Sequence, residues 1–369
     1  MTTSRRETDL VYRRMLNQRL IGEPFARLED AVRWLTAVQS QDYAGAKWGL
    51  AQRIKDTADR EIDQQFNNGT ILRTHVMRPT WHFVMPADIR WMLKLTAPRV
   101  NAVSAYNYRK MDLDEALFKR SNAAIARALR GGRQLTRDEL RETLKRAGID
   151  ATGIRLAYLV IRAELDAVIC SGALRGKQFT YALLDERVPK CPALTRDESL
   201  AELSRRYFTG HGPALLRDYA WWSGLTIADA MAGVEMASAY LDHETVDGKT
   251  YWFGVNRRSA RKKTALIHLL PNYDEYLIAY KDRSASLDSS INKRLRTRNE
   301  VLGTHIIVLN GKVIGGWRRT IKKDELTIHA SLLVTLSDAE RVALRLASER
   351  YGRFINSGVV RLEIRIINS

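Results

Sequence analysis

The sequence predicts an α+β protein in which groups of helices alternate with β-hairpins and a smaller β-rich unit follows. First, a group of three or four helices followed by a hairpin occurs three times in succession. Second, Asp-Gly at 247–248 and Asn-Gly at 310–311 each separate two strand-like segments, a strong signal for a two-residue hairpin turn. Third, Ser337 and Glu340 form a capping-box pattern at the start of an amphipathic helix.

The first helical group is predicted from apolar residues that recur at the short steps typical of one helix face. The helical segments are 7–20, 28–39, 46–54 and 59–66. After Asn67–Gly69 the chain becomes β-branched and aromatic over 71–84, with Arg78-Pro79 in the middle. This pattern predicts two strands joined by a turn.

The same order follows twice more. Helices at 114–130, 137–146 and 154–171 precede a hairpin at 173–184 with Gly176 in its turn, and helices at 196–208, 214–222 and 226–236 precede a hairpin at 238–254. Helices followed by a hairpin are the layout of a winged helix, in which a helical DNA-binding core carries a β-hairpin wing. We therefore predict three tandem winged-helix units, at 1–96, 97–190 and 191–256, and a C-terminal unit at 257–369 with a small curved sheet or barrel and one helix.

The chain carries a large excess of positive charge. Its 369 residues include 60 Lys and Arg but only 42 Asp and Glu, which gives a net charge of +18 and an isoelectric point near 10.0. Such an excess favours polyanionic partners, above all nucleic acid. The alternative is a protein that uses its charge for solubility alone.

The two cysteines, Cys170 and Cys191, do not support a metal site or a disulfide framework, because neither belongs to a CxxC or Cys/His ligand pattern. Cys170 ends the apolar segment 157–170, which is predicted to be a buried helix. The N-terminal segment lacks the apolar core of a signal peptide, and no apolar stretch reaches membrane-spanning length. We expect no metal or cofactor, no membrane partner, and a cytoplasmic, nucleoid-associated location.

Gln39 and Gln41 stand at the end of the second helical pattern, directly before Asp42. At that spacing two side chains diverge on a helix but point the same way on an extended segment, so a shared site requires the helix to end at about Val38. A carboxamide does not titrate in water, but it accepts a hydrogen bond from water and donates through its NH₂ group. This chemistry suits hydrolysis of an N-glycosidic bond whose base is already a good leaving group. The alternative is a solvated helix end.

Five separated stretches resemble the AlkZ-like family of winged-helix DNA glycosylases. They are VQSQDYAGAKWGLAQR at 38–53, ILRTHVMRPTWHFVMP at 71–86, LRDYAWWSGLTIADA at 216–230, LLPNYDEYLIAYKDRS at 269–284 and GKVIGGWRRTIKK at 311–323. The family's catalytic signature is Gln–x–Gln in one branch and Gln–x–Asp in another. Gln39 and Gln41 match the first form, with Ser40 where the middle residue is often apolar.

The resemblance implies three tandem winged helices and a β-rich unit around a basic channel for duplex DNA. It also implies an enzyme that removes alkylated purines, including bulky adducts and interstrand crosslinks. On this basis Gln39 would hold the attacking water, Gln41 would fix that water or the deoxyribose, and Asp42 would stabilise the oxocarbenium-like sugar or act as the base. For Asp42 the alternative is a carboxylate at a helix end that pairs with a nearby arginine.

Candidate DNA contacts lie in the predicted hairpin at 71–84. A wing brings its residues to phosphate or into a groove, and the candidates are Arg73, His75, Arg78 at the turn and Trp81. The alternative is a hairpin packed through Trp81 and Val84 with solvated charges, and both can hold at once. His75 and His82 are also interpreted as hydrogen-bonded structural histidines.

The remaining candidates are charged residues later in the chain. Asp274 and Arg283 come from the segment 269–284, which the resemblance places near the active centre; a stabilising charge network between domains is the alternative. Arg318 and Arg319 belong to WRRTIKK at 317–323, and a second basic stretch, NRRSARKK, occupies 256–263. Such stretches suit phosphate contacts, which supply affinity without reading sequence, although a solvated basic face has the same composition.

Two functions stay open. The first is a metal-independent DNA glycosylase acting on alkylated bases in double-stranded DNA, and the second is a non-catalytic winged-helix DNA-binding protein or transcriptional regulator. Regulators of that type usually dimerise and bind a palindrome, whereas three wings in one chain favour a monomer. Self-resistance to a genotoxin is a third hypothesis.

Overall fold

A computed structural model of the chain describes residues 5–255, 265–288, 291 and 305–367. The described residues cluster into two compact units, each assembled from segments that are distant in sequence. Unit 1 consists of Met1–Ile62, Ser204–Trp222 and Ala237–Ser369, and unit 2 of Asp63–Leu203 and Ser223–Met236. Helices and strands occur in both units, which confirms the α+β class. The predicted division into four units along the sequence stays a prediction.

The N-terminal part of unit 1 is helical around one short strand. Its elements are α1 (Arg5–Asn17), α2 (Leu28–Leu35), β1 (Ala37–Gln39), α3 (Tyr43–Ala51) and the start of α4 (Asp59–Asn68). The helix predicted over 28–39 ends at Leu35, because Thr36 takes a φ of 69°, which an α-helix does not allow.

Among the described residues, a five-stranded sheet with one helix forms the C-terminal part of unit 1. In spatial order its strands are β13 (Val359–Ile366), β12 (Glu325–Leu332), β11 (Lys312–Lys322), β10 (Ile306–Leu309) and β9 (Ile267–Leu270). Strands β12 and β13 run parallel and are connected through α14 (Asp338–Phe354), which starts with the predicted capping box of Ser337 and Glu340. The predicted hairpin at Asn310-Gly311 is confirmed, with φ of 48° and 82° at the turn.

Further segments complete unit 1. They are the end of α10 (Arg196–His211), most of α11 (Leu216–Ser223), the hairpin of β7 (Leu241–Val246) and β8 (Lys249–Gly254), and the short helix α13 (Glu275–Ile278). Asp247 and Gly248 have φ of 50° and 73°, as a type I′ turn requires, so the predicted hairpin is confirmed.

The core of unit 1 joins the first helical segments to the C-terminal sheet. Met15, Leu16 and Leu20 pack with Leu270 of β9 and Val308 of β10 in one buried cluster. Full burial of an aliphatic side chain stabilises a fold by about 1.5–3 kcal/mol. Residues from the two ends of the sequence therefore depend on one hydrophobic core.

Unit 2 contains a hairpin, a small antiparallel sheet and several helices. Its elements are the end of α4, β2 (Leu72–Val76), β3 (Arg78–Val84), α5 (Pro86–Lys110), α6 (Glu115–Leu129), β4 (Leu135–Thr136), α7 (Arg137–Arg146), α8 (Gly153–Leu165), β5 (Ile169–Ser171), β6 (Thr180–Leu183), α9 (Leu184–Arg187) and α12 (Ile227–Met236). The predicted hairpin of β2 and β3 is confirmed, and so is the turn at Gly176, which has a φ of 62° between the bridged residues Arg175 and Gln178.

Two helices of unit 2 differ from the prediction. The helix predicted over 154–171 ends at Leu165, where Ala167 takes a φ of 56°, and Cys170 is buried in strand β5 and not in a helix. The 25-residue helix α5 was not predicted. Its buried residues are not confined to a narrow stripe and Pro98 lies inside it, so the sequence lacks the amphipathic pattern that identifies a helix.

Candidate active site

The chain between α2 and α3 is extended and carries the Gln–x–Gln motif. Strand β1 ends at Gln39, and Ser40, Gln41 and Asp42 follow before α3 begins. The helix therefore ends before the motif, as a shared site requires, although it ends at Leu35 and not at about Val38.

The two glutamines differ in exposure. Only 6% of Gln39 is exposed, whereas Gln41 is exposed to solvent. The side-chain oxygen Oε1 of Gln39 is buried and has no hydrogen-bond partner among the described residues. A buried acceptor left without a donor costs about 1–3 kcal/mol, so this position favours a ligand that donates a hydrogen bond. The motif thus combines a buried acceptor with an exposed amide.

Glu275 binds the backbone of Gln39. The N–H of Gln39 donates to Oε1 of Glu275 at 2.8 Å. Oε2 of the same carboxylate accepts a hydrogen bond from Nε1 of Trp222 at 2.9 Å, and Nε2 of His211 lies 3.4 Å from it. All four residues are buried. The last residue of β1 is therefore fixed by a carboxylate that two other segments of unit 1 also contact.

The residue before Glu275 packs closely against α3. A Cβ on Gly49 of α3 would lie 2.8 Å from Oδ2 of Asp274. Arg53, just after α3, donates to both oxygens of Asp274, at 2.8 and 2.9 Å. Asp274 also caps α13 by accepting the N–H of Tyr276 at 2.9 Å. These contacts are all internal to unit 1, so they favour a stabilising charge pair as the interpretation of Asp274 over the predicted contact with DNA.

Asp42 is the N-cap of α3. Its Oδ1 accepts the N–H of Gly45 at 3.0 Å. Its Oδ2 and the Oδ1 of Asn272 both lie close to Gly45, since a Cβ on Gly45 would be 2.8 Å from the first oxygen and 3.0 Å from the second. An N-cap carboxylate stabilises the start of a helix, and this function accounts for the hydrogen bond that Oδ1 accepts. The expected catalytic function of Asp42 would depend on Oδ2.

His305 is a neighbour of Asp42 that the sequence did not suggest. Its Nδ1 accepts the backbone N–H of Asn272 at 2.9 Å, and its ring stacks on Trp317 with ring centres 4.8 Å apart. Burial and the charge of Arg319 lower the pKa of His305, while the charge of Asp42 opposes this shift. The imidazole is therefore neutral at neutral pH and carries its proton on Nε2, which makes Nε2 a hydrogen-bond donor.

The three arginines predicted to contact DNA in unit 1 differ in exposure. Arg318 on β11 is exposed, and Arg319 is partly exposed and lies 5.5 Å from the ring of Tyr351. Arg283 donates through Nε to the carbonyl of Leu277 at 3.0 Å, and burial lowers its pKa. Arg318 is the most accessible of the three. The basic stretch at 256–263 lies outside the described residues.

In unit 2 the hairpin of β2 and β3 is packed against its neighbours. Every residue of β2 is buried, and Met77 at the turn is 1% exposed. A Cβ on Gly224 would lie 2.1 Å from the carbonyl oxygen of Met77, so the segment at 224 contacts the turn. His82 is buried with Nδ1 bonded to the carbonyl of Thr80, and burial lowers its pKa well below the usual value. This histidine is structural, as expected.

Arg73, His75 and Trp81 form one cluster in that hairpin. The guanidinium of Arg73 and the ring of His75 each lie 4.3 Å from a ring centre of Trp81, and Nδ1 of His75 hydrogen-bonds the buried Glu164. Arg73 and His75 are buried, so these contacts argue against direct contact of either side chain with DNA. Trp81 and Arg78 are partly exposed, and their contact with DNA stays a prediction.

The sequence did not indicate Glu275, Trp222 or His211 as site residues. Trp222 and Glu275 lie in two of the stretches that resemble the family, but no spacing links them to the Gln–x–Gln motif, and Glu275 is 236 positions from Gln39. One signal was available: Glu275 directly follows Asp274 within an apolar stretch, and a carboxylate there needs buried donors.

No metal cluster and no membrane-spanning helix occur in the described part of the chain. Over 5–255, 265–288, 291 and 305–367, no group of three or more His, Cys, Asp or Glu side chains could hold a metal ion. Within the same residues, no helix combines the length and apolar composition needed to cross a membrane.

Comparison with known proteins places these residues in a family. A sequence model of the AlkZ-like DNA glycosylases matches residues 32–354. The interstrand DNA cross-link repair glycosylase of Streptomyces sahachiroi is 23% identical over 371 residues, which cover 96% of this chain and 97% of that protein. The solved structure of Streptomyces sahachiroi DNA glycosylase AlkZ matches with a TM-score of 0.78 and 21% identity over 100% of both chains. Because the family match spans most of the sequence and includes the Gln–x–Gln motif, the chain belongs to the AlkZ-like family of DNA glycosylases.

Proposed function

We propose that the protein hydrolyses the N-glycosidic bond of alkylated purines in double-stranded DNA. Membership of a glycosylase family supports this reaction, and the similar protein from Streptomyces sahachiroi is named for the repair of interstrand crosslinks. We therefore expect the substrates to include bulky adducts or interstrand crosslinks. The proposed architecture is three tandem winged-helix units followed by the C-terminal sheet, acting as a monomer in the nucleoid.

The observation that carries the proposal is the buried side-chain oxygen of Gln39, which has no partner among the described residues. An amide oxygen in this position can accept a hydrogen bond from a water molecule and orient it without itself changing protonation state. A neutral acceptor is sufficient when the leaving group is a cationic alkylated purine, because the C1′–N bond then breaks with little help from the nucleophile.

In the proposed reaction the electrons of the glycosidic bond pass to the purine and neutralise its positive charge. The water held by Gln39 forms the new bond to C1′ of the oxocarbenium-like sugar and releases its proton to solvent. Gln41 is exposed, so it can contact the deoxyribose or the same water once DNA is bound. Asp42 adds negative potential, which stabilises the positive charge that develops on the sugar.

Positive charge supplies the affinity for DNA in this proposal. The net charge is +18, and the exposed Arg318 on β11 is the proposed phosphate contact with the best access. Arg319 and Arg283 in unit 1, and Arg78 and Trp81 in unit 2, are further proposed contacts. Phosphate contacts release counterions, so we expect the affinity to fall steeply with salt.

Base excision tests the proposed function. Duplexes carrying a methylated purine, a bulky purine adduct or an interstrand crosslink are incubated with the protein, and alkaline cleavage then reveals abasic sites. We expect the wild type to release at least one of these lesions, and Gln39→Ala and Gln41→Ala to be about 10²-fold slower in single turnover with DNA affinity retained. Retained DNA binding without release of any lesion would instead identify a non-catalytic DNA-binding protein.

A further inference from the structure

The carboxylate of Glu275 connects the Gln–x–Gln motif to two other segments of unit 1. One oxygen accepts the N–H of Gln39 at 2.8 Å, and the other accepts Nε1–H of Trp222 at 2.9 Å and lies 3.4 Å from Nε2 of His211. Glu275 is 1% exposed, and both Trp222 and His211 are 0% exposed. A fully buried carboxylate is retained in a fold only where such donors compensate its lost hydration.

The chain on both sides of Glu275 is anchored. Asp274 is bound by Arg53 through both oxygens and caps α13, so the start of this short helix is fixed. On the other side, the hydroxyl of Tyr276 donates to the carbonyl of Gly311 at 2.6 Å. Because hydrogen bonds hold both of its neighbours, the carboxylate of Glu275 binds Gln39 from an anchored position in unit 1.

The chemistry of the contacts requires a carboxylate. An ionised carboxyl group accepts hydrogen bonds at both oxygens, so it can serve the donors of Gln39 and Trp222 together. A carboxamide of the same shape has one accepting oxygen and one donating NH₂ group. In that side chain the NH₂ group would face either the N–H of Gln39 or the indole N–H of Trp222.

We propose that Glu275 is a positioning residue for Gln39, an inference that rests on the proposed glycosylase reaction. By binding the N–H of Gln39, it fixes the Cα position of that residue and hence the direction in which the carboxamide meets water. Misplacing a reacting group by about 1 Å can slow a reaction about 10²-fold. Glu275 itself touches neither the water nor the DNA in this proposal.

The variant Glu275→Gln tests the proposal in the full-length protein. We expect single-turnover excision to slow by about 10- to 10²-fold while the Kd for the same duplex stays within about twofold. In a Gln39→Ala background, adding Glu275→Gln should cause no further loss of rate, because the positioned side chain is already absent. Glu235→Gln, which removes an exposed carboxylate on α12, is the matched control and should keep the wild-type rate.

A second substitution separates positioning from general stability. In Glu275→Gln the unfavourable contact is donor against donor, so removing the indole N–H by Trp222→Phe should allow the amide oxygen to face Gln39 again. We expect the double variant to excise faster than Glu275→Gln alone, although it is less stable to heat. If Glu275 only stabilised the fold, the double variant would excise more slowly than Glu275→Gln alone, because each substitution would lower both Tm and the rate.

The outcomes distinguish this inference from the proposed function. A wild type that releases no lesion refutes the glycosylase reaction itself. If wild type is active and Gln39→Ala is slow, but Glu275→Gln keeps the full rate, then only the positioning function is wrong. Additive losses in the Gln39→Ala background would also overturn it, because Glu275 would then act independently of Gln39.

Discussion

Arg53 and Asp274 form a buried ion pair with two hydrogen bonds, which connects the end of α3 to the start of α13. Both side chains are 2% exposed, and the two hydrogen bonds measure 2.8 and 2.9 Å. Arg53 also donates to the carbonyl of Gly49 and to Gln18, so its guanidinium is bound on several sides. The pair thus joins the segment that carries the Gln–x–Gln motif to the segment that carries Glu275.

Breaking this ion pair should strongly destabilise the protein. Asp274→Ala leaves the buried guanidinium of Arg53 without its carboxylate, and we expect a loss of about 3–5 kcal/mol in the free energy of unfolding. Denaturant unfolding measures the loss. Glu325→Ala, which removes an exposed pair with Arg361, is the control. A loss for Asp274→Ala no larger than that of the control would contradict the prediction.

Replacing Gly49 by alanine should lower the stability despite the higher helix propensity of alanine. Propensity alone favours alanine by about 1 kcal/mol inside a helix. The added Cβ would, however, lie 2.8 Å from Oδ2 of Asp274, which Arg53 prevents from moving away. We expect a lower Tm by calorimetry, and no decrease for Gly358→Ala, where no atom lies within 4 Å of the new Cβ. An increase in Tm for Gly49→Ala would show that this packing is loose.

Asp42→Asn should separate helix capping from catalysis. Asparagine caps helices about as well as aspartate, so the N–H of Gly45 keeps its acceptor and Tm should change little. The negative potential beside the sugar is lost, and we expect single-turnover excision to slow about tenfold or more. Asp42→Ala, which loses the cap as well, should also be about 1 kcal/mol less stable. An unchanged rate for Asp42→Asn would restrict Asp42 to its capping function.

His268 should make the stability of the protein sensitive to acid. Burial, together with the charges of Arg350 and Arg53, lowers its pKa from the usual 6.5 to about 4. The unfolded chain then binds the proton more tightly than the folded chain, so protonation of His268 favours unfolding. The stability that neutral His268 contributes is complete above pH 6.5 and is lost as the pH falls toward 4.

The variant His268→Gln measures this contribution, because its amide can still donate to Gln52. Between pH 7 and pH 5 we expect the wild type to lose about 2 kcal/mol more unfolding free energy than the variant. Equal losses in the two proteins would show that His268 titrates normally in the folded state.

Arg318 should contribute to DNA affinity through its charge. We expect Arg318→Ala to weaken binding equally for different sequences and to reduce the slope of log K against log salt by about 1. Arg318→Lys retains the charge and should keep the slope. Fluorescence anisotropy at several salt concentrations measures both variants, and an unchanged slope for Arg318→Ala would remove this residue from the interface.

Local patterns predicted most elements of the fold because their causes are local. The Asp-Gly and Asn-Gly turns need only a positive φ at two adjacent residues, and Ser337 caps α14 through Glu340 in the next turn. Helix α5 was missed because tertiary packing, and not an amphipathic stripe, determines which of its residues are buried.

The candidate site could be predicted only in part. Gln39, Gln41 and Asp42 are adjacent in sequence and match a family motif, so a short stretch was enough to select them. The backbone N–H of Gln39 is bound by Glu275, which in turn accepts a hydrogen bond from Trp222, and only the folded chain brings these residues together. Burial of Arg73 was missed for the same reason, since it depends on Phe179, whereas His75 has the structural hydrogen bond that was one of its two interpretations.

The distance of 236 positions between Gln39 and Glu275 has a consequence for biosynthesis. A ribosome completes the motif early, but at about 5–20 residues per second it adds the carboxylate that binds the motif only about 12–47 seconds later. A nascent or prematurely terminated polypeptide lacking Glu275 would therefore carry the glutamines without their anchor. If Glu275 positions Gln39 as proposed, such incomplete translation products would excise bases more slowly than the full chain.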